Sequence, residues 1–176
     1  MRALQVSANL IVGLDGATTR NGSSSGLSPN ADRKRFHQLR QESDLIIIGG
    51  NTARREPYKR TPTPLYILTH ANVRLVPKNQ LAKQFKMTPA QLLADIKLNF
   101  QKNEQSRPIR VLVEAGPKLL LEMIENSLID YLYLTVNTQL SGENQIQIQT
   151  LVEGFELISN EQIDGCEFRL YKKLSQ

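Results

Sequence analysis

The stretch Val111-Leu-Val-Glu-Ala-Gly-Pro-Lys-Leu-Leu-Leu121 constrains this chain most. A β-branched apolar run breaks at Glu114-Ala115-Gly116, and Pro117 suits the first turn of a helix because its missing N–H would have no partner there. A strand that hands over through small residues to a helix start points backbone N–H groups and the positive end of a dipole the same way. Glu114 falls at the strand's end, where open α/β sheets usually meet their ligands. Read alone, the stretch is better taken as an ordinary strand–turn–helix joint. Its neighbours in sequence decide how it is used.

The rest of the chain alternates. Leu4 to Val12 reads as a first strand that ends at the turn pair Asp15-Gly16. Ser28 is an expected N-cap with Pro29 as first helical residue, and the helix runs to about Glu42. Leu45 to Ile48 is an apolar run suited to burial on both sheet faces. Gly49-Gly50 ends it, and a short helix is expected near Thr52. Leu65 to Leu68 is a further strand. Thr88-Pro-Ala-Gln91 carries the capping-box pattern and opens a helix to about Lys102. After the Val111 strand and the Pro117 helix come a strand at Tyr131 to Val136 and two antiparallel strands, Phe155 to Ile158 and Cys166 to Tyr171, around Asp164-Gly165. The alternation predicts one α/β domain over residues 1–176: a mixed, mostly parallel sheet flanked by helices and closed by a C-terminal hairpin. In that hairpin Phe168 and Leu170 are set against Arg169 and Tyr171, which suits one buried face. The low-complexity piece Asn21 to Gly26 reads as a flexible loop.

Composition removes several classes. No apolar run approaches the ~20 residues of a membrane helix. The first residues carry a single basic group, Arg2, before a strand-like pattern, unlike a secretory leader, and a cytoplasmic address is the default. One cysteine, Cys166, and two histidines argue against a zinc site. The net charge of +5 and the isoelectric point of about 9.4 favour an anionic partner. Aromatic residues are not interleaved with the basic ones as in single-strand nucleic-acid binders, so a phosphorylated small molecule or a dinucleotide fits better.

The helix after Ser28 carries a basic stripe. At ~100° per residue, Arg33, His37 and Arg40 share one face beside Phe36 and Leu39. Such a stripe can reach past a sheet edge toward phosphate, which Arg grips through paired N–H groups. Lys34 and Arg35 read as a solvated face, and His37 and His70 as surface residues.

In this order the segments Leu14-Asp15-Gly16, Ser28, Arg33, His37-Gln-Leu-Arg40, Ser43 to Thr52, Pro57, Val113 to Leu119, Ile129-Asp130 and Leu140-Ser-Gly142 resemble the reductase domain of riboflavin biosynthesis, often the C-terminal half of a deaminase/reductase. The resemblance covers about Val6 to Gly142. It implies the dihydrofolate-reductase-like fold, NADPH as cofactor, and reduction of a ribosylamino-pyrimidine phosphate. It places Gly50, Asn51 and Thr52 at cofactor phosphates, Ala115, Gly116 and Pro117 as a second backbone approach, and Thr69 and His70 near an adenosine 2′-phosphate. Ser28 and Arg33 would hold the substrate phosphate. Glu114 and Asp15 would be the catalytic carboxylates, with Glu114 beside the reacting sugar. Relatives commonly pair, so a homodimer is expected, and no metal is required.

Two departures stand out. The family's usual lysine after Leu-Asp-Gly is Ala17, and its Glu-Gly-Gly is Glu114-Ala115-Gly116. The substrate could therefore differ, with Arg20, Arg54 or Lys118 in the lysine's place. Two other readings remain at this level. One is a dihydrofolate reductase, disfavoured by the absence of tryptophan. The other is a non-catalytic nucleotide- or nucleic-acid-binding protein on the same fold.

Overall fold

Apolar runs at positions 45–48, 65–68, 109–113 and 131–136 build the centre of one sheet. In the computed structural model, which describes residues 3–101 and 107–175, the strands are β1 (Leu4–Gly13), β2 (Ala17–Thr19), β3 (Leu45–Gly49), β4 (Leu65–Leu68), β5 (Ala82–Phe85), β6 (Ile109–Val113), β7 (Tyr131–Asn137), β8 (Glu143–Gln145), β9 (Phe155–Ile163) and β10 (Cys166–Lys173). The helices are α1 (Asn30–Glu42), α2 (Gly50–Arg55), α3 (Pro89–Asn99), α4 (Pro117–Glu125) and α5 (Ile148–Val152). Eight strands form the main sheet in the order β5-β4-β3-β6-β1-β7-β10-β9. The first six run parallel, and β10 turns back antiparallel on β7 and β9. The C-terminal ends of β3, β4, β6, β1 and β7 therefore lie along one edge of the sheet.

Alternation divides the core into two layers. On one face Val6, Ala8, Leu10 and Val12 of β1, with Val111 and Val113 of β6, pack against Leu92, Leu93 and Ile96 of α3 and Leu120 and Met123 of α4. On the other, Ile46, Ile48, Leu65, Ile67 and Leu112 meet Ala53, Tyr58 and Val76, with Leu39 of α1 packed alongside. Leu45 to Ile48 are fully buried, as a strand covered on both faces requires.

Several local expectations hold. The α3 start carries the complete capping box of Thr88 and Gln91, and Pro117 opens α4. α3 ends at Asn99; Lys102, its expected end, and Arg2 lie outside the described residues. Other expectations need correction. The N-cap of α1 is Pro29, not Ser28, because the Ser28 hydroxyl instead donates to Asp32 Oδ2 inside the first turn. Residues 21–26 are a fastened turn rather than a free loop. Ser24–Gly26 is a 3-10 turn, Glu56 accepts from Ser23 Oγ and Ser24 N–H, and Glu143 accepts from the N–H groups of Asn21 and Gly22. The hairpin does not keep strict alternation. The ladder shifts between Leu170 and Tyr171, so both Phe168 and Tyr171 are buried.

Arg35 is also not a solvated residue. Its guanidinium lies over the rings of Tyr133 at 5.0 Å and Phe168 at 5.2 Å, and burial pushes its pKa below the ordinary arginine value. The buried residues of α1 are Asp32 and Arg40, so beside Leu39 this helix meets the sheet through polar and cation–ring contacts. Among the described residues no helix is long and apolar enough to cross a membrane, and no group of three or more His, Cys, Asp and Glu side chains could hold a metal ion.

Candidate functional site at the strand ends

The candidate site is built where β3 and β6 end side by side. The Glu114 N–H donates to Ile47 O at 2.9 Å and extends the ladder by one residue. The chain then turns through Ala115 and Gly116 into α4, while β3 turns through Gly49 into α2. The two turns are tied together: the Gly116 N–H donates to Thr52 Oγ1 at 3.2 Å. Both helices begin on a glycine N-cap without a side-chain cap. The first-turn N–H groups of α4 at Lys118 and Leu119 thus keep no intrahelical partner.

The glycines fit their places. A Cβ on Gly50 would stand 2.6 Å from Thr69 Oγ1, so no side chain fits between the end of β3 and the end of β4. A Cβ on Gly116 would meet nothing closer than Thr52 Oγ1 at 3.5 Å, so space remains open above that backbone. Gly50, Thr52, Thr69 and Gly116, singled out separately in the sequence, form one contiguous group. Asn51 is exposed beside it and accepts from Arg54 Nη1 at 3.1 Å. Pro117 follows as the first residue of α4. His70 is exposed just past β4, and the Thr69 hydroxyl accepts from the Ala71 N–H. The Ala115 methyl is buried in the core layer that holds α3 and α4 rather than standing over the strand ends.

Glu114 occupies a different position from the expected one. Residues 112 and 114 share a face of β6, so Glu114 points under α1. Its side chain is only 3% exposed. Arg40 Nε donates to Oε1 at 2.8 Å and Arg40 Nη2 to Oε2 at 2.7 Å, and the Tyr58 hydroxyl donates to Oε2 at 2.7 Å. The Arg40 guanidinium also lies 4.0 Å from the centre of the Phe36 ring and 4.8 Å from that of Tyr58. Burial works against the Arg40 charge, but the hydrogen bond and attraction from Glu114 outweigh it and hold its pKa above the ordinary value. Burial, with the neighbouring Glu114 charge, pushes the Tyr58 hydroxyl well above the usual tyrosine range. The three side chains form a closed polar cluster under the site, and Arg40 leaves the exposed stripe that Arg33 and His37 keep.

Asp15 is likewise a joint. Its Oδ1 accepts from the Ala17 N–H, and its Oδ2 accepts from Gln145 Nε2 at 3.1 Å and the Gly142 N–H. The hydrogen bond from Gln145, helped by those backbone donors, lowers its pKa. With Leu14 N–H donating to Leu140 O, these bonds bring the Leu14-Asp15-Gly16 and Leu140-Ser-Gly142 segments together. Ala17 is fully buried, so no side chain reaches out at the place of the family's lysine. Ser28 pairs with the buried Asp32, and Arg33 is exposed on the first turns of α1. Among the described residues no hydrogen bond or ion pair joins Ser28 or Arg33 to the Thr52–Gly116 group. Hollows also form away from this edge, one against β5 between Asn72 and Gln84 and one between Ile124 and Lys173.

Sequence reasoning missed Arg40 as a core residue, and Tyr58 and Asp32 altogether. No local signal could have found them: Val111, Leu112 and Val113 are all buried, so parity does not set Glu114 apart.

A parallel sheet with a C-terminal antiparallel hairpin and two glycine-bearing strand ends defines the dihydrofolate-reductase-like class. The sequence matches the RibD C-terminal domain over residues 5–164, and the chain belongs to that family. Its fold is similar to that of a pyrimidine reductase-like protein from Corynebacterium diphtheriae (16% identity, 98% of this chain and 93% of that chain, TM-score 0.71). It is also similar to Acinetobacter baumannii RibD (18% identity, 98% of this chain, TM-score 0.73), of whose length the chain spans 58%. Enterococcus faecalis dihydrofolate reductase, complexed with NADP(H) and RAB-propyl, shares the fold at 12% identity over 99% of this chain and all of that chain, with a TM-score of 0.72. No protein of curated function matches the sequence.

The polar cluster has a measurable consequence. Arg40→Ala strands the Glu114 carboxylate in a buried position and is expected to cost about 3–5 kcal/mol in urea unfolding. Tyr58→Phe removes one hydrogen bond to a charged group and is expected to cost about 1.5–3 kcal/mol. Unfolding midpoints unchanged in both variants would show that the cluster does not hold the fold.

Proposed function

We propose that this chain is an NADPH-dependent reductase that binds the dinucleotide across the C-terminal ends of β3 and β6. The observation that carries the reading is the Thr52–Gly116 hydrogen bond, which joins two glycine turns into one cradle. The open space over Gly116 and the free N–H groups at the start of α4 suit a pyrophosphate. When bound, the cofactor supplies the hydride, and the protein supplies position and charge. In this reading Gly50, Asn51, Thr52, Gly116 and Pro117 hold the phosphates, and Thr69 and His70 flank the adenosine end. Ala115 contributes backbone only.

The substrate is a phosphorylated small molecule, as in 5-amino-6-(5-phosphoribosylamino)uracil reduction, with Arg33 at its phosphate and Ser28 joining it by turning its hydroxyl from Asp32. Buried Ala17 in place of lysine supports a substrate that differs around the sugar. Glu114 and Asp15 act as positioning residues: one sets the β6–α4 turn from below, the other the turn after β1. Both Glu114 oxygens are taken by Arg40 and Tyr58, and the exposed Asp15 carboxylate is held by Ala17, Gly142 and Gln145.

We further propose a homodimer. Among the described residues β9 is a nine-residue edge strand, paired only with β10, that exposes Leu157, Ile158 and Ile163. Such an edge is normally covered or paired. Light scattering at tens of micromolar should give twice the 19.9 kDa chain mass, and a value of one chain mass would rule the dimer out.

Calorimetric titration tests the cofactor reading. NADPH should bind wild-type protein, and Thr52→Val should weaken binding by roughly two- to tenfold through loss of one hydrogen bond at the cradle. Absence of NADPH binding at millimolar concentration would refute the reading.

A further inference from the structure

We propose that the N-terminal ends of β4 and β5 carry a second binding surface, which holds the phosphate backbone of a double-stranded nucleic acid. The inference is independent of the cofactor reading, because parallel strands put the two places at opposite ends of the sheet. The cradle lies past the C-terminal ends of β3 and β6. Lys59, Arg60 and Lys78 precede the starts of β4 and β5, and Lys83 is the second residue of β5. Charge is segregated here. Residues 50–86 hold eight of the chain's 22 lysines and arginines and one of its 17 acidic residues, while the remainder carries 14 basic and 16 acidic residues. The one acid, Glu56, is turned onto Ser23 and Ser24. Asp44, the carboxylate at the start of the neighbouring strand β3, is taken by Arg107.

The cations are gathered by a buried knot. Asn79 Nδ2 donates to Tyr58 O and Thr61 Oγ1, both at 3.0 Å, and Asn79 Oδ1 accepts from the Leu81 N–H at 2.9 Å. The Asn79 carbonyl accepts from Arg74 Nη2 at 3.3 Å. The segment with Lys59 and Arg60 is thus tied to the segment with Arg74 and Lys78, beside Lys83 on the outermost strand. These five side chains are exposed, and among the described residues none of them forms an ion pair. Arg74 also lines a hollow of about 270 Å³ with Asn72 and Gln84. Grouped cations without carboxylates are the electrostatic footprint of a phosphate chain. Tyr58 is buried and Tyr66 and Phe85 are half-buried, so the patch lacks the exposed rings on which single strands stack. Val73 and Leu81 are exposed singly and do not make the apolar centre that a protein partner needs. The patch consists of loops and one edge strand, so contact is with the backbone and independent of base sequence.

The test follows the fluorescence anisotropy of a labelled DNA duplex of mixed sequence as protein is added. Wild-type protein should bind, and raising salt from about 50 to 200 mM should weaken binding by roughly 10²–10³-fold, as neutralising about five phosphates requires. The triple variant Lys59→Gln, Arg60→Gln, Lys78→Gln should bind about tenfold or more weakly and flatten the salt slope by about 2–3. A control of equal net charge, Lys34→Gln, Lys97→Gln, Lys172→Gln, should bind like wild type. All six positions are exposed, so both variants keep the fold. Equal losses in the two triple variants would reduce the effect to net charge and overturn the assignment. Absence of duplex binding at about 50 mM salt would overturn it as well, and displacement of the duplex by NADPH would do so by placing the duplex in the cradle. Equally tight binding to poly-glutamate or to phosphatidylserine vesicles would overturn it in favour of an acidic protein or a lipid surface.

Discussion

The Arg40–Glu114–Tyr58 cluster ties three distant parts of the chain into one place: the last turns of α1, the end of β6 and the segment after α2. Burying an ion pair is expensive unless geometry and additional hydrogen bonds offset the lost water. Here the geometry is good. The carboxylate takes two parallel N–H bonds from one guanidinium and a third bond from a phenol. The guanidinium is also stacked on Phe36 and Tyr58, which covers its faces without asking for further acceptors. Because Glu114 is held inward, Ala115 turns its methyl into the opposite core layer, and the next backbone unit, Gly116, is left at the strand-end surface beside Thr52.

The same economy runs through the rest of the α1 side of the sheet. That helix lacks a strong apolar stripe and is seated by Arg35 on two rings, by Asp32 with Ser28, and by Arg40 on Glu114. Carboxylates also fasten the segment between β1 and α1. Asp15 ties the β1 turn to residues 142 and 145, Glu143 holds the turn at Asn21 and Gly22, and Glu56 holds Ser23 and Ser24. The loop beside the strand ends is thus fixed by directional polar bonds as well as by the buried Ala17 and Leu27.

Much of the fold was legible in the sequence because its central strands are short, continuous apolar runs between turn residues. β3, β4, β6 and β7, the capped start of α3 and the Pro117 start of α4 all follow from that grammar. β5 was not legible, since Ala82–Phe85 is four residues of mixed polarity that become a strand only by pairing with β4. Glu143–Gln145 is exposed and polar, and it pairs with Ala17–Thr19 through contacts more than 120 residues apart. At the site, the glycine turns were readable because small residues at strand ends have few other uses. The inward turn of Glu114 was not, because its partners lie 74 and 56 residues away and no local pattern announces them. The amphipathic reading of α1 failed at Arg40 and Arg35 for a related reason: a guanidinium can be buried when rings and a carboxylate receive it.

In the proposed reading Glu114 shapes the β6–α4 turn from beneath, and a dinucleotide would meet backbone and Thr52 above it. A crystal structure of the protein with NADPH tests this directly. Pyrophosphate density is expected over Gly116 and Thr52, with both Arg40–Glu114 hydrogen bonds and the Tyr58 bond intact beneath it. Density placed elsewhere, or a Glu114 side chain released from Arg40 and turned onto the ligand, would contradict it.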